Sequence, residues 1–511
     1  MTIDELNAGL RPGDDTPALI TGRGRVSRGE LAELRDRYAT SLHARGLRAG
    51  DTLGVAVRPG PRVLATLLAA YRMGLRVAVL DPHAGPDVLT ARLARARPKL
   101  IVADAAAQAV ASWAAPLARR AGLALPDLTS LGPTVTVGRR LPGNAPALEL
   151  VKGAPPPAYE GDGDAVMIFT SGTTSSPRAV VHTRAGLAAG LGAVTELVRP
   201  RPHLPILGGT FFVMLPALAA GAPVALPARR ARALAKQVRE LRPQATYLTP
   251  PQLRSALDAG VPLTGRVYSG SAPVSAQLLS RVRAAGADEA WCVYALTEVF
   301  PAAAVEATEK AAFDEPGDLV GELLPGVRAQ LLPPGASPFP PSPGVSPPPT
   351  SSPSSADPAG TGQLLLAGSG VCDRYLGNEP HEWVDTGDIA HLTGRRVVLA
   401  GRTKDMILRR AENIYPGLYE PALHVPGVSL AVLVGIPADD GDEHLVALIE
   451  ISPGTDESSV RAALREPLRR MGAATPDRVI FTPVPLAGRS RKPDRAAAAR
   501  LAAGFPPGVR A

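Results

Sequence analysis

The sequence predicts an α/β protein, with a large N-terminal domain of covered, mostly parallel sheets at 1–402 and a small α+β C-terminal domain at 403–511. Two observations predict this class. Helical and strand patterns alternate along the first half of the chain, which is typical of parallel strands covered by helices. The composition then changes after GRTKD at 401–405, and the remaining stretch has its own strand and helix patterns.

The alternation begins with a helix at 26–47, where apolar residues recur at helical spacing and the pattern ends in glycine. A strand, a buried helix and a second strand follow in TLGVAVRP, VLATLLAAYRMG and RVAVLDP. Further strands are predicted at 99–104, 165–170, 222–227, 245–250 and 265–270. The uncharged run at 208–228 is long enough to span a membrane, but its prolines and glycines favour a buried helix, a turn and a buried strand.

The C-terminal domain contains the strand patterns LAVLVGIP and HLVALIEI, the helix pattern ESSVRAALREPLRRMG and the strand pattern DRVIFTPVP. Before it, the Pro/Ser-rich segment 333–360 contains eleven prolines, a composition that cannot form a packed core. We therefore predict a loop there, which joins two strands with the sequences VRAQLLP and GQLLLAG. Binding of a proline-recognising partner is the alternative explanation for this segment.

Charge and composition argue against several classes of protein. The net charge is +8, but the basic residues are scattered among 47 acidic ones, without a long basic run or interleaved aromatic residues. Nucleic-acid binding is therefore not expected, and attraction of an anionic small substrate explains the charge equally well. Cys292 and Cys372 are too few for a disulfide framework or a cysteine-based zinc site, and MTIDELNAGL lacks signal-peptide features. A cytoplasmic protein without a membrane span is predicted.

The stretch IFTSGTTSSPR at 168–178 has the composition of a phosphate-binding loop. Strand-forming residues run into six Ser and Thr hydroxyl groups around one glycine, and a cation closes the stretch. Glycine lets the backbone approach a ligand, hydroxyl and N–H groups donate to anionic oxygens, and the cation balances their charge. A solvated turn is the alternative, because Ser and Thr are ordinary loop residues.

Five further motifs follow in a fixed order. They are YSGSAP at 268–273, VYALTE at 293–298, WVDTGD at 383–388, GRTKDMILRRAENIYP at 401–416 and GRSRKPDR at 488–495. Each is weak alone, but together they resemble the adenylate-forming superfamily of acyl-CoA synthetases, peptide-synthetase adenylation domains and luciferases. The resemblance covers nearly the whole chain. It implies a large domain joined by a hinge to a small one, and an ATP- and Mg²⁺-dependent enzyme that adenylates a carboxylic acid.

The resemblance implies that the hydroxyl-rich loop binds the β- and γ-phosphates of ATP. Glu298 would help to hold Mg²⁺, and Thr297 would touch the α-phosphate. Asp388 would bind the two ribose hydroxyl groups, and Arg402 would contact the ribose or a phosphate. SGSAP and Tyr294 would frame the adenine and the acyl pocket. The implied nucleotide-binding residues are Thr170, Ser171, Gly172, Thr173, Thr174, Arg178, Gly270, Ser271, Ala272, Pro273, Tyr294, Asp388 and Arg402.

Ordinary structural roles are the alternatives for several of these residues. Glu298 would then be a solvated charge, and Tyr294 would be plain core packing. DTGD is also a competent turn sequence by itself. Its distance of 14 residues from Arg402 favours the functional interpretation.

Two lysines have implied roles. Lys492 would stabilise the charge that develops between the attacking carboxylate and the α-phosphate, and only six lysines occur in the chain. Lys404 would be the hinge about which the small domain rotates between the two half-reactions. The acceptor in the second half-reaction would be the thiol of CoA or the phosphopantetheine of an acyl carrier protein. An exposed basic loop is the alternative for Lys492.

Three stretches depart from the family's pattern. SSPRA at 175–179 replaces the usual Gly-x-Pro-Lys-Gly, although Arg178 keeps the charge. Ala295 replaces a usual glycine where the acyl group and adenine would pass. RRA at 409–411 replaces a usual Ser-Gly-Gly, whose glycines let the pantetheine arm pass close to the backbone. Arginines there would meet CoA phosphates or obstruct the thiol tunnel.

These departures leave three hypotheses for function. The leading one is an acid–thiol ligase, similar to acyl-CoA synthetases, with a small-molecule carboxylic acid as substrate. The second passes the adenylate to a non-thiol acceptor, such as an amine, an internal hydroxyl or an unusual oxyanion. The third is a nucleotide-binding homologue without turnover. The side chains that suggest an apolar or aromatic acid are Phe211, Phe212, Val213 and Tyr294.

Overall fold

The computed structural model describes most of the chain in ten stretches. They are residues 3–22, 24–80, 86–111, 113–115, 125–169, 178–333, 360–409, 412–438, 442–487 and 491–505. The chain divides into two compact units. The first comprises Met1–Tyr247, Thr297–Phe300 and Ser369–Glu382, and the second comprises Leu248–Leu296, Pro301–Gly368 and Trp383–Ala511.

The first unit alternates helices with short strands. Its helices are α1 (Ile3–Gly9), α2 (Arg28–Ala44), α3 (Pro61–Arg72), α4 (Pro86–Ala96), α5 (Ala105–Ala111), α6 (Leu128–Leu131), α7 (Arg184–Val198), α8 (Phe211–Ala219) and α9 (Ala231–Leu241). Its strands are β1 (Pro17–Thr21), β2 (Gly24–Ser27), β3 (Thr52–Ala56), β4 (Arg76–Val79), β5 (Leu100–Asp104), β6 (Thr134–Val137), β7 (Asp164–Phe169), β8 (Ala179–Thr183), β9 (Ile206–Leu207), β10 (Val224–Ala225), β11 (Ala245–Tyr247) and β18 (Arg374–Tyr375).

A seven-stranded sheet of the first unit has the order β18-β8-β7-β4-β3-β5-β6. The strands from β7 to β6 are parallel, whereas β8 and β18 are antiparallel. Every residue of β3 and β5 is buried, as expected for parallel strands covered on both faces. Sequence patterns predicted β3, β4, β5 and β7, and the structure confirms these strands.

A second group of strands in the first unit, β11-β9-β10-β1-β2, is parallel except at β2. The run at 208–228 folds as α8 followed by the buried strand β10, as predicted from its prolines and glycines. Among the residues that the structure describes, no helix combines the length and the apolar character that a membrane crossing needs.

Local capping explains where the first long helix starts. Ser27 precedes α2, and its Oγ accepts a hydrogen bond from the Glu30 backbone N–H at 3.1 Å. The Glu30 carboxylate in turn accepts from the Ser27 N–H at 2.8 Å. This reciprocal pair satisfies two N–H groups that the first turn would otherwise leave without partners. The predicted helix at 26–47 is confirmed with these narrower bounds.

The second unit carries most of the remaining strands. Its helices are α10 (Pro250–Asp258), α11 (Ala276–Ala284), α12 (Ala307–Ala312), α13 (Glu457–Arg470) and α14 (Arg495–Ala503), with 3₁₀ turns at Thr403–Asp405, Pro416–Leu418, Glu420–Leu423 and Gly472–Ala474. Its strands are β12 (Arg266–Gly270), β13 (Glu289–Tyr294), β14 (Ala303–Glu306), β15 (Asp318–Leu323), β16 (Val327–Leu332), β17 (Thr361–Gly368), β19 (Trp383–Thr393), β20 (Arg396–Arg402), β21 (Ile407–Arg409), β22 (Glu412–Ile414), β23 (Val428–Pro437), β24 (Glu443–Ile451), β25 (Arg478–Phe481), β26 (Leu486–Ala487) and β27 (Lys492–Pro493).

Within the second unit, eight strands follow one another in the order β16-β17-β19-β20-β15-β14-β13-β12. Only β12 and β13 are parallel, and the other neighbours are antiparallel. The predicted strands VRAQLLP and GQLLLAG are confirmed as the antiparallel pair β16 and β17. The Pro/Ser-rich residues 334–359 between them lie outside the described stretches.

The C-terminal stretch forms a small sheet, β23-β24-β25, with α13 and α14. One of its buried clusters consists of Ile407, Ile414, Leu423, Val428, Ala431, Leu433, Leu445, Ala447, Ile449, Val460, Leu464, Met471, Ala474 and Val479. A second cluster, with Val432, Val446 and Leu448, packs on Ala498 and Ala502 of α14. The strands and the helix predicted here are confirmed, whereas the domain boundary between 402 and 403 stays a prediction.

Candidate functional site

The parallel strands β12 and β13 carry two of the sequence motifs. Gly270 ends β12 beside Val293 of β13. A Cβ atom on Gly270 would lie 2.5 Å from the Val293 carbonyl oxygen, so only glycine fits there. Ser271 then turns the chain with φ of +68°, a left-handed conformation that few side chains adopt. Because the carboxyl ends of parallel strands meet at one sheet edge, SGSAP and Tyr294 lie at the same edge.

A buried carboxylate, Asp388, connects Tyr294 with Arg402. Asp388 on β19 and Arg402 on β20 are direct cross-strand neighbours. Asp388 Oδ1 accepts from Arg402 Nε at 2.7 Å, and Oδ2 accepts from the Tyr294 hydroxyl at 2.5 Å. Asp388 is 4% exposed. The structure therefore brings together three predicted site residues from three separate motifs.

Burial and charge fix the protonation of the two groups beside Asp388. Burial, reinforced by the Asp388 charge, raises the pKa of Tyr294 well above its usual value. Burial alone would lower the pKa of Arg402, but the Asp388 carboxylate outweighs it and raises that pKa. Tyr294 is therefore a neutral donor and Arg402 a permanent cation. Since a carboxylate has roughly four lone-pair sites, Asp388 can accept from two further hydroxyl groups.

Glu298 lies in the first unit, next to Tyr375. The Tyr375 hydroxyl donates to Glu298 Oε1 at 3.2 Å. The guanidinium carbon of Arg178 lies 5.3 Å from the centroid of the Tyr375 ring, within reach of a cation–π contact. Burial, and then the charge of Glu298, raise the pKa of Tyr375, so its phenol stays a neutral donor. A cation, a phenol and a carboxylate are thus connected in one group.

The surroundings of Glu298 fit a nucleotide-bound magnesium ion. Mg²⁺ in such sites takes one or two carboxylates from the protein and completes its shell with phosphates and waters. Glu298 provides one carboxylate beside a neutral hydroxyl group. Within the described stretches, no three His, Cys, Asp or Glu side chains are arranged to hold a metal ion by themselves. The Glu298 carboxylate therefore suits a magnesium ion that is already bound to the phosphates of ATP.

His182 is a residue of the first unit that sequence reasoning missed. It lies on β8 with 0% exposure, and its Nε2 is 2.8 Å from the backbone oxygen of Thr297. Because a carbonyl only accepts, Nε2 carries the proton. His182 Nδ1 is buried and has no hydrogen-bond partner among the described residues. No pattern in the sequence marks this histidine, since its partner is a backbone atom 115 positions away.

An aromatic cluster, Phe211, Phe212 and Phe300, lies in the first unit beside His182. The ring centroids of Phe211 and Phe212 are 3.9 Å apart, and those of Phe212 and Phe300 are 4.1 Å apart. The edge of the His182 ring contacts Phe300 at a centroid distance of 5.0 Å. Two of the four residues proposed for the acyl pocket therefore touch each other, and Val213 follows them on α8.

The two candidate lysines lie on exposed parts of the second unit. Lys492 begins β27 and pairs across to Ala487. Lys404 lies in the exposed 3₁₀ turn that follows β20. The neighbouring Asp405 is held by Arg495, whose Nε lies 3.2 Å from Asp405 Oδ2. Asp405 is anchored and Lys404 is exposed, and this arrangement is compatible with a pivot at Lys404.

Arg409 has structural partners inside the second unit. Its Nη1 donates to the Thr475 carbonyl oxygen at 2.8 Å, and its Nη2 pairs with the Asp477 carboxylate. The residue is 7% exposed. Two roles were expected for arginines in this motif, contact with CoA phosphates or obstruction of the thiol tunnel. Neither role accounts for Arg409, because its guanidinium is bound within the fold.

Several predicted residues lie outside the described stretches. They are Thr170, Ser171, Gly172, Thr173 and Thr174 of the hydroxyl-rich loop, and Arg410 and Ala411 of the altered motif. Ala272 and Pro273 follow Ser271 in the turn after β12. Tyr375 was missed as a site residue, although it lies within GVCDRYLGN, a stretch that contributes to the resemblance.

The chain is similar to several known proteins. The profile of a family described as AMP-binding enzyme matches residues 7–376. An olefin β-lactone synthetase from Stenotrophomonas maltophilia is 26% identical over 493 residues, which are 88% of this chain and 85% of that protein. An indoleacetate–CoA ligase from Aromatoleum aromaticum is 25% identical over 490 residues, which are 87% of this chain and 86% of that protein.

This chain is also similar to a much longer protein and to solved structures. A probable non-canonical nonribosomal peptide synthetase, CymA from Salinispora arenicola, is 27% identical over 91% of this chain, but the chain spans only 6% of its length. The structure of the amide bond synthetase McbA from Marinactinospora thermotolerans has a TM-score of 0.77 and 20% identity, covering 98% of each chain. This likeness confirms the α/β fold over the whole chain.

Proposed function

The chain belongs to the family of AMP-binding, adenylate-forming enzymes, and we propose that it activates a carboxylic acid with ATP and then transfers the acyl group to a thiol. The thiol would be that of CoA or of a carrier protein's phosphopantetheine. The relative that is an indoleacetate–CoA ligase supports this acceptor class. The aromatic cluster Phe211, Phe212 and Phe300 supports an apolar or aromatic acid as substrate.

The observation that carries this proposal is the contact of Tyr294 and Arg402 with Asp388. A nucleotide ribose offers two adjacent hydroxyl groups, which a single carboxylate can accept in a bidentate fashion. Arg402 orients Asp388 through the hydrogen bond from its Nε, and it would add a cation near a phosphate. Residues from three motifs, 94 and 14 positions apart in the chain, therefore converge on one carboxylate that suits a nucleotide.

In the first half-reaction, an oxygen of the substrate carboxylate forms a bond to the α-phosphorus of ATP. The bond from that phosphorus to the bridging oxygen of pyrophosphate breaks, and pyrophosphate leaves. Both reactants are anions, so the enzyme has to supply positive charge and alignment. Lys492 would provide a cation at the attacking carboxylate, and Arg178 would provide one at the leaving phosphates.

Magnesium, when bound with ATP, would add charge stabilisation at the phosphate oxygens. Glu298 is the residue that would hold it, because its carboxylate has a neutral neighbour in Tyr375. Thr297 would touch the α-phosphate. The hydrogen bond from His182 to the Thr297 carbonyl oxygen would hold this segment in place.

In the second half-reaction, a thiol sulfur forms a bond to the acyl carbon of the adenylate. The bond from that carbon to the phosphate oxygen breaks, AMP leaves, and the thiol proton passes to solvent. Rotation about Lys404 would bring a different face of the C-terminal domain to the site between the two steps. The exposed 3₁₀ turn at Thr403–Asp405 is compatible with such a pivot.

A second candidate transfers the adenylate to a non-thiol acceptor. The similarity to an olefin β-lactone synthetase favours it, because that relative covers 88% of this chain. The replacement of two usual glycines by Arg410 and Ala411 points in the same direction, since a pantetheine arm needs close approach to the backbone. In this case the activated acid would react with an amine or with its own hydroxyl group.

AMP release from ATP separates the two candidates. For each acid that supports activation, AMP is measured alone, with CoA, with a holo carrier protein and with a panel of amines. Acceleration by CoA or the carrier, with formation of the thioester, supports thiol transfer. Acceleration by an amine alone, or AMP release with a new product and no acceptor, replaces it with the second candidate.

A further inference from the structure

Helix α9 of the first unit and the residues that flank it are rich in positive charge. The segment 229–242 contains six basic side chains and one acidic one, a net charge of +5, whereas the whole chain has +8. The exposed basic residues are Arg229, Arg230, Arg232, Lys236, Arg239 and Arg242, and we call them the basic face of α9. Basic residues are therefore concentrated in this segment, although it contains no long uninterrupted basic run.

Little within the fold balances this charge. Lys236 and Glu240 approach to 3.6 Å on exposed side chains, 73% and 62% accessible, and so form only a weak pair. Among the residues that the structure describes, the arginines at 229, 230, 232, 239 and 242 make no side-chain hydrogen bond or ion pair. Their guanidinium groups are therefore available to a partner.

The placement of these charges opposes helix stability. Like charges three or four positions apart repel each other, which applies to Arg232, Lys236 and Arg239. Arg230 is the N-cap of α9 without a capping hydrogen bond, and the first turn has no acidic residue. Cations at a helix N-terminus also oppose its dipole. A segment that breaks local rules of stability in this way is expected to have another role.

The helix begins at the sheet edge where the aromatic cluster lies. Strands β9, β10 and β11 are parallel and in register, and α9 follows β10 directly. The start of α9 therefore lies at the carboxyl edge of these strands. β9 leads at the same edge through Gly208 to Phe211 and Phe212. The start of the basic face thus lies at the same sheet edge as the candidate acyl pocket.

We propose that the basic face of α9 is the docking surface for an acidic carrier domain, which brings the thiol that accepts the acyl group. This inference rests on the thiol transfer of the proposed function. The length of the face favours a protein over a small phosphate ligand. α9 has 11 residues and is about 16 Å long, whereas a phosphate group would need only two or three cations at one point. A helix with an acidic face matches such a stripe.

Charge reversal tests this surface. One variant carries R229E, R232E and R239E, and the control carries R25E, R37E and R45E, three exposed arginines of the same unit with the same charge change. The probes are a holo acyl carrier protein of net negative charge, CoA and, without any acceptor, ATP–pyrophosphate exchange. Thermal unfolding verifies that each variant is folded.

The proposal predicts that kcat/KM for the carrier falls at least tenfold in the first variant and stays unchanged in the control. Exchange and transfer to CoA stay the same in both, and carrier transfer by the parent chain weakens as salt increases. An unchanged carrier reaction overturns the proposal, and so does an equal loss with CoA, which indicates a small-ligand site. A parent chain that transfers to no carrier but binds duplex DNA or phosphatidylglycerol vesicles through this face also overturns it.

These outcomes are distinct from failure of the proposed function. If the parent chain catalyses no pyrophosphate exchange with any acid, the adenylation itself is wrong. If exchange proceeds and only the charge dependence of carrier transfer is missing, the docking surface alone is wrong.

Discussion

Asp388 is the residue on which three motifs converge. It is 4% exposed, and its two carboxylate oxygens accept hydrogen bonds from Arg402 and Tyr294. The sequence allowed each of these three residues to be predicted through its motif. Their mutual contacts could not be read from it, because β13 and β19 are far apart in the chain.

Replacement of Asp388 by Asn removes the charge but keeps one accepting oxygen. We expect kcat/KM for ATP in the exchange reaction to fall roughly 100-fold or more, because removing one partner of a buried charge pair costs about 2–5 kcal/mol. Asp385→Asn on the same strand is the matched control, since an Asn oxygen can still accept from the Gly387 N–H at 2.8 Å. Similar ATP kinetics in the two variants would argue against a nucleotide contact by Asp388.

His182 makes stability depend on pH in a defined direction. Burial lowers the pKa of His182 from its usual 6.5, although its bond to Thr297 acts in the opposite direction. The unfolded chain therefore binds a proton at pH values where the folded chain does not. Stability is full above pH 6.5 and decreases as pH falls below it, by at most about 1.4 kcal/mol per pH unit for one histidine.

The test compares thermal unfolding of the parent chain and of His182→Gln between pH 7.5 and 5.5. Gln keeps a side-chain N–H donor for the Thr297 carbonyl oxygen but does not titrate. The parent chain should lose more stability than the variant as the pH falls. Equal losses would mean that His182 does not contribute to this dependence.

Strand β21 combines a contact within the fold with an altered motif. Its last residue, Arg409, replaces a residue that is usually small in the family's pattern, yet its guanidinium is bound by Thr475 and Asp477. The arginine at this position of the motif therefore has a structural role in the packing of the C-terminal stretch. Obstruction of a thiol tunnel by Arg410 and Ala411 is tested by the AMP-release experiment of the proposed function.

Arg409→Ala should affect stability more than acceptor use. Removing the arginine leaves the half-buried Asp477 without this cation, so we expect a loss of about 3 kcal/mol, which unfolding by denaturant measures. KM for CoA should change less than twofold. Arg469→Ala is the control, because Arg469 forms an exposed pair with Glu466 within α13. An increased KM for CoA with unchanged stability would instead assign Arg409 to the acceptor.

Most elements could be predicted because their signals are local. Alternating strand and helix patterns predicted β3, β5 and β7, and the Ser27 cap seen in the structure explains why α2 begins at Arg28 rather than at 26. The relative direction of neighbouring strands was less predictable. The sequence indicated mostly parallel sheets, but β13 to β17 and β19 to β20 are antiparallel, because hairpins and long connections leave similar strand patterns.

In the proposed function, one chain carries out two half-reactions, and Lys404 would be the pivot between them. The exposed turn at Thr403–Asp405 contains Lys404, and Arg495 anchors the adjacent Asp405. The sequence could predict the pivot only through the resemblance, since nothing in the local pattern of TKD sets it apart.

Lys404→Pro should separate the two half-reactions. Proline fixes φ near −65°, which would block a rotation about this residue. We expect pyrophosphate exchange to persist within a few-fold of the parent rate, whereas transfer of the acyl group to CoA or a carrier falls about 100-fold or more. Lys152→Ala, an exposed lysine of the first unit, is the control for both half-reactions. Equal loss of both half-reactions would assign Lys404 a role other than the pivot.

Formation of an acyl adenylate is the activity on which the other proposals depend. It is tested by ATP–pyrophosphate exchange across a panel of aromatic and aliphatic carboxylic acids, repeated with Lys492→Ala. We expect exchange that depends on at least one acid, is fastest with apolar or aromatic acids, and is abolished in Lys492→Ala without a change in thermal stability. ATP binding without exchange for any acid would contradict adenylate formation and indicate a nucleotide-binding protein without turnover.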